Sequence, residues 1–178
     1  MKTILHAHKF NTVIERLAHQ LIENHTDFSN TVLIGIQPRG IFLSNRIYSY
    51  LHDTKKIKHL KYGILDITFY RDDFNTSDEM RVPNATTINF SIENKNVILI
   101  DDVLFTGRTI RSAMDALIDF GRPAKVELMV LIDRRFSRQL PIQPDYTGQS
   151  IDSIISQKVK VLWNEKDKKD EVLLIDNE

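Results

Sequence analysis

The stretch NVILIDDVLFTGRTI (Asn96–Ile110) decides how the rest of the chain is read. Its apolar run, Val97 to Ile100, has the composition of a strand buried on both faces. Asp101 and Asp102 then close that strand, and Thr106, Gly107, Arg108 and Thr109 lie in the turn leading into a helix. Carboxylates repel phosphate, whereas Thr, Gly and Arg hold it. A site with both needs a ligand carrying hydroxyls at one end and an anion at the other. Carboxylates accept hydrogen bonds from vicinal hydroxyls. Glycine lets the backbone approach closely, and the free amides of a helix start favour a phosphate by ~0.3–1 kcal/mol before specific bonds are counted. A ribose 5-phosphate fits that order. Taken singly, the acidic pair is also a plausible helix cap and TGRT a common tetrapeptide. The nucleotide-triphosphate loop is excluded because no Gly-Lys-Ser/Thr follows the strand, and Gly-x-Gly-x-x-Gly is absent.

Outward from this stretch, Asn11 to Asp27 shows helical periodicity, with Asn11 or Thr12 as cap. Thr31 to Ile36 (TVLIGI) reads as a buried strand, QPRG follows, and Ile41 to Leu51 reads as a helix. Tyr62 to Tyr70 reads as another strand, and residues from Arg71 to Ala85 as a long polar loop. Thr109 to Phe120 predicts a helix stopped by Gly121 and Pro123, and Val126 to Ile132 a third buried strand. The run NEKDKKDE reads as a solvated turn before a last short strand, VLLI. Repeated strand-loop-helix units imply an α/β fold, a mostly parallel twisted sheet with helices on both faces. Ligands bind such sheets beyond the carboxyl ends of the strands, where QPRG and DDVLFTGRT both fall.

At 178 residues the chain is expected to form a single domain, 1–178. With 24 basic and 24 acidic side chains there is no global attraction to nucleic acid or membrane, so any such binding needs a local patch. The absence of cysteine excludes disulfide and thiol chemistry. MKTILHAHKF has too short an apolar run for a signal peptide and no segment approaches transmembrane length, so a cytoplasmic location and no membrane partner are expected. His6 and His8 have no matching ligand cluster.

NVILIDDVLFTGRT resembles the PRPP-binding signature of type I phosphoribosyltransferases: apolar residues, two acids, then T-G-x-T. GIQPRGIFL, DITFYRDDF, DDVLFTGRTIRSAMDALIDFGRP and LPIQPDYTG are similar more closely to the PyrR family, in which uracil phosphoribosyltransferase activity is joined to control of pyrimidine genes. The resemblance runs from about Val13 to Val172 and implies the type I phosphoribosyltransferase fold, with a small hood at about 140–165 and a flexible active-site loop at about 71–85. It implies that Pro38, Arg39 and Gly40 meet the diphosphate, that Asp101, Asp102, Val103, Leu104, Phe105, Thr106, Gly107, Arg108 and Thr109 bind PRPP or UMP, and that Tyr70-Arg71-Asp72-Asp73 starts the loop. Arg39, Arg71, Asp101 and Asp102 are then the catalytic candidates, with Mg²⁺ held mainly by PRPP and water rather than by a protein cage.

Phe105 stands where purine-salvage relatives carry an acid-base aspartate, which favours a pyrimidine, and Lys158, Val159, Lys160 and Val161 match a segment whose backbone reads the base. The family also implies homo-oligomers and recognition of pyrimidine-leader mRNA, with UMP or UTP as signal. Arg16, His19 and Arg138 match its RNA-contacting positions. Glu15, Gln143, Gln149 and the departure LIDRRFSRQLPI weaken that match, so catalysis ranks above RNA control. A nucleotide-sensing RNA regulator with little catalysis is the alternative.

Overall fold

The protein is described from a computed structural model that covers residues 1–72 and 83–176. Its main sheet has five strands: β2 (Thr31–Ile36), β3 (Lys61–Leu65), β4 (Asn96–Leu104), β5 (Lys125–Arg135) and β6 (Tyr146–Asp152). All neighbours are parallel, in the order β3-β2-β4-β5-β6. Helices α1 (Ala7–His25) and α2 (Gly40–Ser49) cover one face and α3 (Arg108–Leu117) the other. A second, antiparallel sheet of order β1-β8-β7 joins the chain ends: β1 (Lys2–Leu5), β7 (Gln157–Leu162) and β8 (Glu171–Asp176), with a short helix α4 (Asn164–Asp167) between the last two. Among the described residues no helix is long and apolar enough to cross a membrane.

Strand periodicity divides the core into two layers. Leu33, Ile98, Ile100, Met129 and Leu131 pack toward Phe10, Leu17, Leu21, Leu43 and Ile47 of α1 and α2. The alternate residues Val32, Ile34, Val97, Leu99 and Val130 meet Ile110, Ala113 and Leu117 of α3. A sheet buried on both sides needs continuous apolar runs, which is why β2, β4 and β5 are so apolar.

Several boundaries differ from the sequence reading. α1 starts one turn earlier, at Ala7, because Phe10 already belongs to its buried face; its cap position is His6, which makes no side-chain cap bond. α2 runs from Gly40 to Ser49 and continues as a wider π-helical turn over Tyr50–Thr54. The strand expected from Tyr62 to Tyr70 ends at Leu65, since Asp66 Oδ1 accepts the Thr68 amide (3.1 Å) and hydroxyl (2.7 Å) and turns the chain into a short 3₁₀ segment. β4 does not close at Asp102, because Val103 and Leu104 still pair with Ile132 and Asp133 of β5. The third buried strand extends to Arg135, and the helix expected from Thr109 to Phe120 is α3 followed by a 3₁₀ turn over Ile118–Phe120. Of the stretch expected to form a hood, β6 lies in the main sheet and β7 in the small one. The expected loop reaches into residues 73–82, Asp73 included, which lie outside the described residues.

At the amino edge of the sheet, opposite the loops that carry the signature, Glu127 is buried in a polar knot. It accepts bonds from Tyr146 Oη (2.8 Å) and contacts His25 Nε2 (2.8 Å), with Lys125 on its other oxygen, while Thr31 Oγ1 meets His25 Nδ1 at 3.0 Å. Burial pushes the Glu127 carboxyl up, but its Lys125, Tyr146 and His25 partners outweigh that and hold it below the ordinary value; burial also pushes Tyr146 up to about 12. A carboxylate with a depressed folded pKa stabilises the fold above its unfolded value and loses that contribution as pH falls through the folded one. Glu127→Gln is therefore expected to cost about 1–3 kcal/mol at pH 7, and less near pH 4. Urea unfolding at both pH values checks this, and an equal loss at each would count against the charge.

Candidate active site at the sheet switch point

From β2 the chain steps outward to β3, then returns to the other side of β2 to lay down β4. The carboxyl ends of β2 and β4 thus flank the point where strand order reverses, the place where an open α/β sheet leaves a crevice. The β2–α2 loop brings Gln37, Pro38, Arg39 and Gly40 there, and the Gln37–Pro38 peptide is cis. β4 brings Asp101 and Asp102, and its loop brings Phe105 to Gly107. Gly40 sits directly on β4: a Cβ built there would lie 2.5 Å from the Ile100 carbonyl oxygen and 2.8 Å from Asp101 Cα. That close approach sets Arg39 beside the acidic pair.

Arg39 Nε donates to Asp102 Oδ2 at 3.1 Å, and its Nη2 donates to the Val161 carbonyl of β7. One side chain therefore ties the first loop to the second acid and to the small sheet. Asp101 Oδ1 accepts the Asp102 amide at 2.9 Å. Both acids are buried. Burial, then the neighbouring Asp102 charge, pushes the Asp101 carboxyl well above the usual range, against the opposing pull of Arg71 and Arg39. Burial also raises Asp102, less so because Arg39 opposes it. Two adjacent carboxylates whose ionisation is made costly by burial suit hydroxyl donors that supply compensating bonds.

Gly107, with φ of +92°, stands at the cap position of α3 and offers no side-chain cap. Thr106 Oγ1 accepts the Arg108 amide at 3.3 Å, and the next amides of the first turn are left for an acceptor from outside. An open cleft of about 540 Å³ surrounds it, lined by Arg71, Asp72 and the residues from Val103 to Ile110. Arg108 Nε donates to Gln139 Oε1 at 2.7 Å and its Nη1 pairs with Asp72. Asp72 was not a sequence candidate for this contact, since it lies 36 residues away in the chain.

Over the Phe105 ring lies the guanidinium of Arg134, with Cζ 3.9 Å from the centroid. Arg134 is buried, and burial lowers its pKa. It also bonds Ser153 Oγ (2.9 Å) and the carbonyls of Ile154 (3.0 Å) and Gln157 (2.9 Å), so it fixes the turn from β6 into β7. The sequence signal for it was only the unusual DRRF run.

Lys158, Val159, Lys160 and Val161 fall on β7, the edge of the small sheet, with the Lys158 and Lys160 side chains exposed. Such an edge presents backbone donors and acceptors that no neighbouring strand takes.

Arg16 and His19 share a face of α1. Arg16 Nη2 donates to the Thr147 (3.2 Å) and Gly148 carbonyls, and His19 Nε2 meets Tyr50 Oη at 3.1 Å. Arg138 is not brought to them. It donates to the Phe105 carbonyl at 2.5 Å and pairs with Asp133, bracing the loop after β4.

The Phosphoribosyl transferase domain model matches residues 1–166. The chain is 45% identical over 171 residues to the Bifunctional protein PyrR of Desulfosudis oleivorans, covering 96% of this chain and 94% of the relative. The chain belongs to the PyrR family of phosphoribosyltransferases. The Bifunctional protein PyrR of Caldicellulosiruptor bescii is 43% identical, over 97% of this chain and 94% of its own length. Among solved structures, the hypoxanthine phosphoribosyltransferase of Trypanosoma cruzi in complex with IMP superposes with a TM-score of 0.73 at 17% identity, over 98% of this chain and 93% of that one. The corresponding Staphylococcus aureus enzyme gives 0.65 at 23%, over 86% and 80%. At these identities the structures share the fold. The PyrR membership and the phosphoribosyltransferase fold expected from the sequence both stand.

Proposed function

We propose that this chain transfers the 5-phosphoribosyl group of PRPP to uracil, giving UMP and pyrophosphate. The observation that carries the reading is the acidic pair on β4 set between the Arg39 loop and the uncapped start of α3, at the switch point of a PyrR-family sheet. Asp101 and Asp102 accept the ribose hydroxyls. Thr106, Gly107, Arg108 and Thr109 take the 5-phosphate, above a floor made by Val103 and Leu104. Pro38, Arg39 and Gly40 meet the diphosphate, and Arg71 adds positive charge from the cleft wall. A carbon–nitrogen bond forms at the anomeric carbon as its bond to the diphosphate oxygen breaks; the displaced electron pair leaves on pyrophosphate, and the proton of the uracil ring nitrogen is released to pyrophosphate or water. The protein lowers the barrier by positioning and charge neutralisation.

The base lies between Phe105 and the edge of β7, where Lys158 to Val161 offer backbone groups besides the Val161 carbonyl that Arg39 holds. Phe105 has no proton to exchange with a purine ring, and its face is already under Arg134, which favours a pyrimidine. Mg²⁺ neutralises diphosphate charge when bound. The ion would be held mainly by PRPP and water rather than by a protein cage. The relatives' name, Bifunctional protein PyrR, supports a second role for the chain; we assign it to nucleotide-responsive regulation of pyrimidine-leader mRNA, with Arg16 and His19 on α1 as contacts, and propose a homo-oligomer in the cytoplasm. Arg138 is the weaker contact, because its guanidinium is turned to Phe105 and Asp133.

The decisive assay follows UMP formation from uracil, PRPP and Mg²⁺, with hypoxanthine as competing base. Turnover with uracil and none with hypoxanthine is expected. PRPP or UMP binding without turnover would leave the sensor role alone.

A further inference from the structure

The Asp102 carboxylate has a second neighbour besides Arg39. Trp163, the only tryptophan of the chain, is fully buried directly after β7, two residues beyond the Val161 carbonyl that Arg39 holds. Its ring is locked on three sides. Phe10 meets it edge-on at 5.1 Å, Phe42 stacks at 5.8 Å, and Arg46 Cζ lies 5.1 Å over its face. Arg46 is itself clamped by Glu165 and Asp170, and the Trp163 amide donates to Asp167 Oδ2 at 2.9 Å. The indole therefore has little freedom to turn. Its N–H lies by Asp102 and favours that carboxylate's charged form, yet it falls short of a well-formed hydrogen bond and has no other partner among the described residues. A buried donor left unpaired is costly, and phenylalanine would keep an aromatic ring there without one.

The charged groups around Asp102 explain why the donor is kept. Arg39 comes from the loop before α2, Asp101 is the next residue along β4, and Arg71 acts on Asp101 from the cleft wall. In the empty site Arg39 occupies Asp102 and the Val161 carbonyl together. The same N–H groups cannot also serve a diphosphate. When Arg39 turns to that anion, Asp102 loses its donor while it must remain an acceptor for ribose hydroxyls.

We infer that Trp163 is a positioning residue for Asp102, whose carboxylate closes onto the fixed indole N–H as bound PRPP draws Arg39 away. This rests on the phosphoribosyltransferase reading and deepens it: Arg39 holds Asp102 in the structure, and Trp163 holds it once Arg39 serves the diphosphate.

The test compares wild type with Trp163→Phe, which keeps an aromatic ring and removes the donor. Calorimetric titration with PRPP and Mg²⁺ is expected to show affinity lowered about tenfold or more, as befits the loss of a bond to a charged acceptor. Orthophosphate, which lacks the ribose hydroxyls that Asp102 accepts, is expected to bind both proteins alike, whatever the ring truncation costs in unfolding midpoint. PRPP affinity within twofold of wild type would overturn the inference, as would parallel loss of PRPP and orthophosphate binding, the signature of damaged packing alone. The wild type offers an independent readout should the variant not fold. Emission from the single tryptophan is expected to change with PRPP and not with orthophosphate, and unchanged emission at saturating PRPP would overturn the proposal. A wild type that binds no PRPP at all would remove the transferase reading with it.

Discussion

Asp102→Asn is expected to lower kcat/KM for PRPP by about a hundredfold or more while leaving the unfolding midpoint unchanged or higher. Each hydrogen bond to a charged acceptor is worth about 1.5–3 kcal/mol, and Asn keeps the shape of the side chain while removing the charge. It also turns an amide donor toward Arg39, or costs Arg39 its ion pair. The stability side has the opposite sign. Burial raises the folded pKa of Asp102 above the unfolded value, so its effect on stability is most favourable below the unfolded pKa and is lost as pH rises through the folded one. Near neutral pH the charged form is a burden on the empty fold, and a neutral isostere relieves it. The same change removes the nearby charge that helps push Asp101 up. Steady-state kinetics and thermal unfolding on the same preparations check the pair of outcomes. Activity within tenfold of wild type, or activity lost only in step with unfolding, would remove Asp102 from the site.

That opposition between function and stability is where sequence reading was strong in one respect and blind in another. β2, β4 and β5 were legible because strands buried on both faces need unbroken apolar runs, and α3 because Gly121 and Pro123 mark its end. The same logic placed the strand's end at Asp102, since carboxylates seldom belong in a buried strand. The structure keeps both acids inside β4, where Asp101 still aligns with Val130 of β5, and burial raises both pKa values. β1 escaped notice for a different reason. Its partner is β8, so Lys2 aligns with Leu174, and local periodicity carries no sign of a pairing between chain ends. Arg39 was legible as a residue beside a glycine at a strand end, but its bond to Val161 spans 122 residues of chain. Trp163 and Arg134 were hidden likewise. The residue type of Trp163 signals only burial and that of Arg134 only exposure, and their orientation toward Asp102 and Phe105 exists only once β7 and the β6–β7 turn are folded.

Gly40→Ala is expected to damage fold and site together, costing about 1–3 kcal/mol of stability from overpacking and about a hundredfold in kcat/KM from misplacement. The added Cβ would lie 2.5 Å from Ile100 O, 2.8 Å from Asp101 Cα and 3.0 Å from Asp101 Oδ1. The first two are backbone atoms of a strand paired on one side with β2 and on the other with β5, so β4 cannot yield. The start of α2 must move instead, and Arg39 moves with it, away from Asp102 and Val161. Gly107→Ala provides the contrast. There the strain is conformational, about 1–2 kcal/mol for a left-handed residue, and the nearest atoms are side-chain tips of Ile142 and Leu140 at 3.3–3.5 Å. Its effect should fall on phosphate binding at the α3 loop and spare the Arg39 contact. Urea unfolding with PRPP and orthophosphate titrations separates the two. The Gly40 variant should lose PRPP affinity out of proportion to orthophosphate, and the Gly107 variant should lose both alike. If both variants showed the same pattern, the close seating of α2 on β4 would not be what positions Arg39.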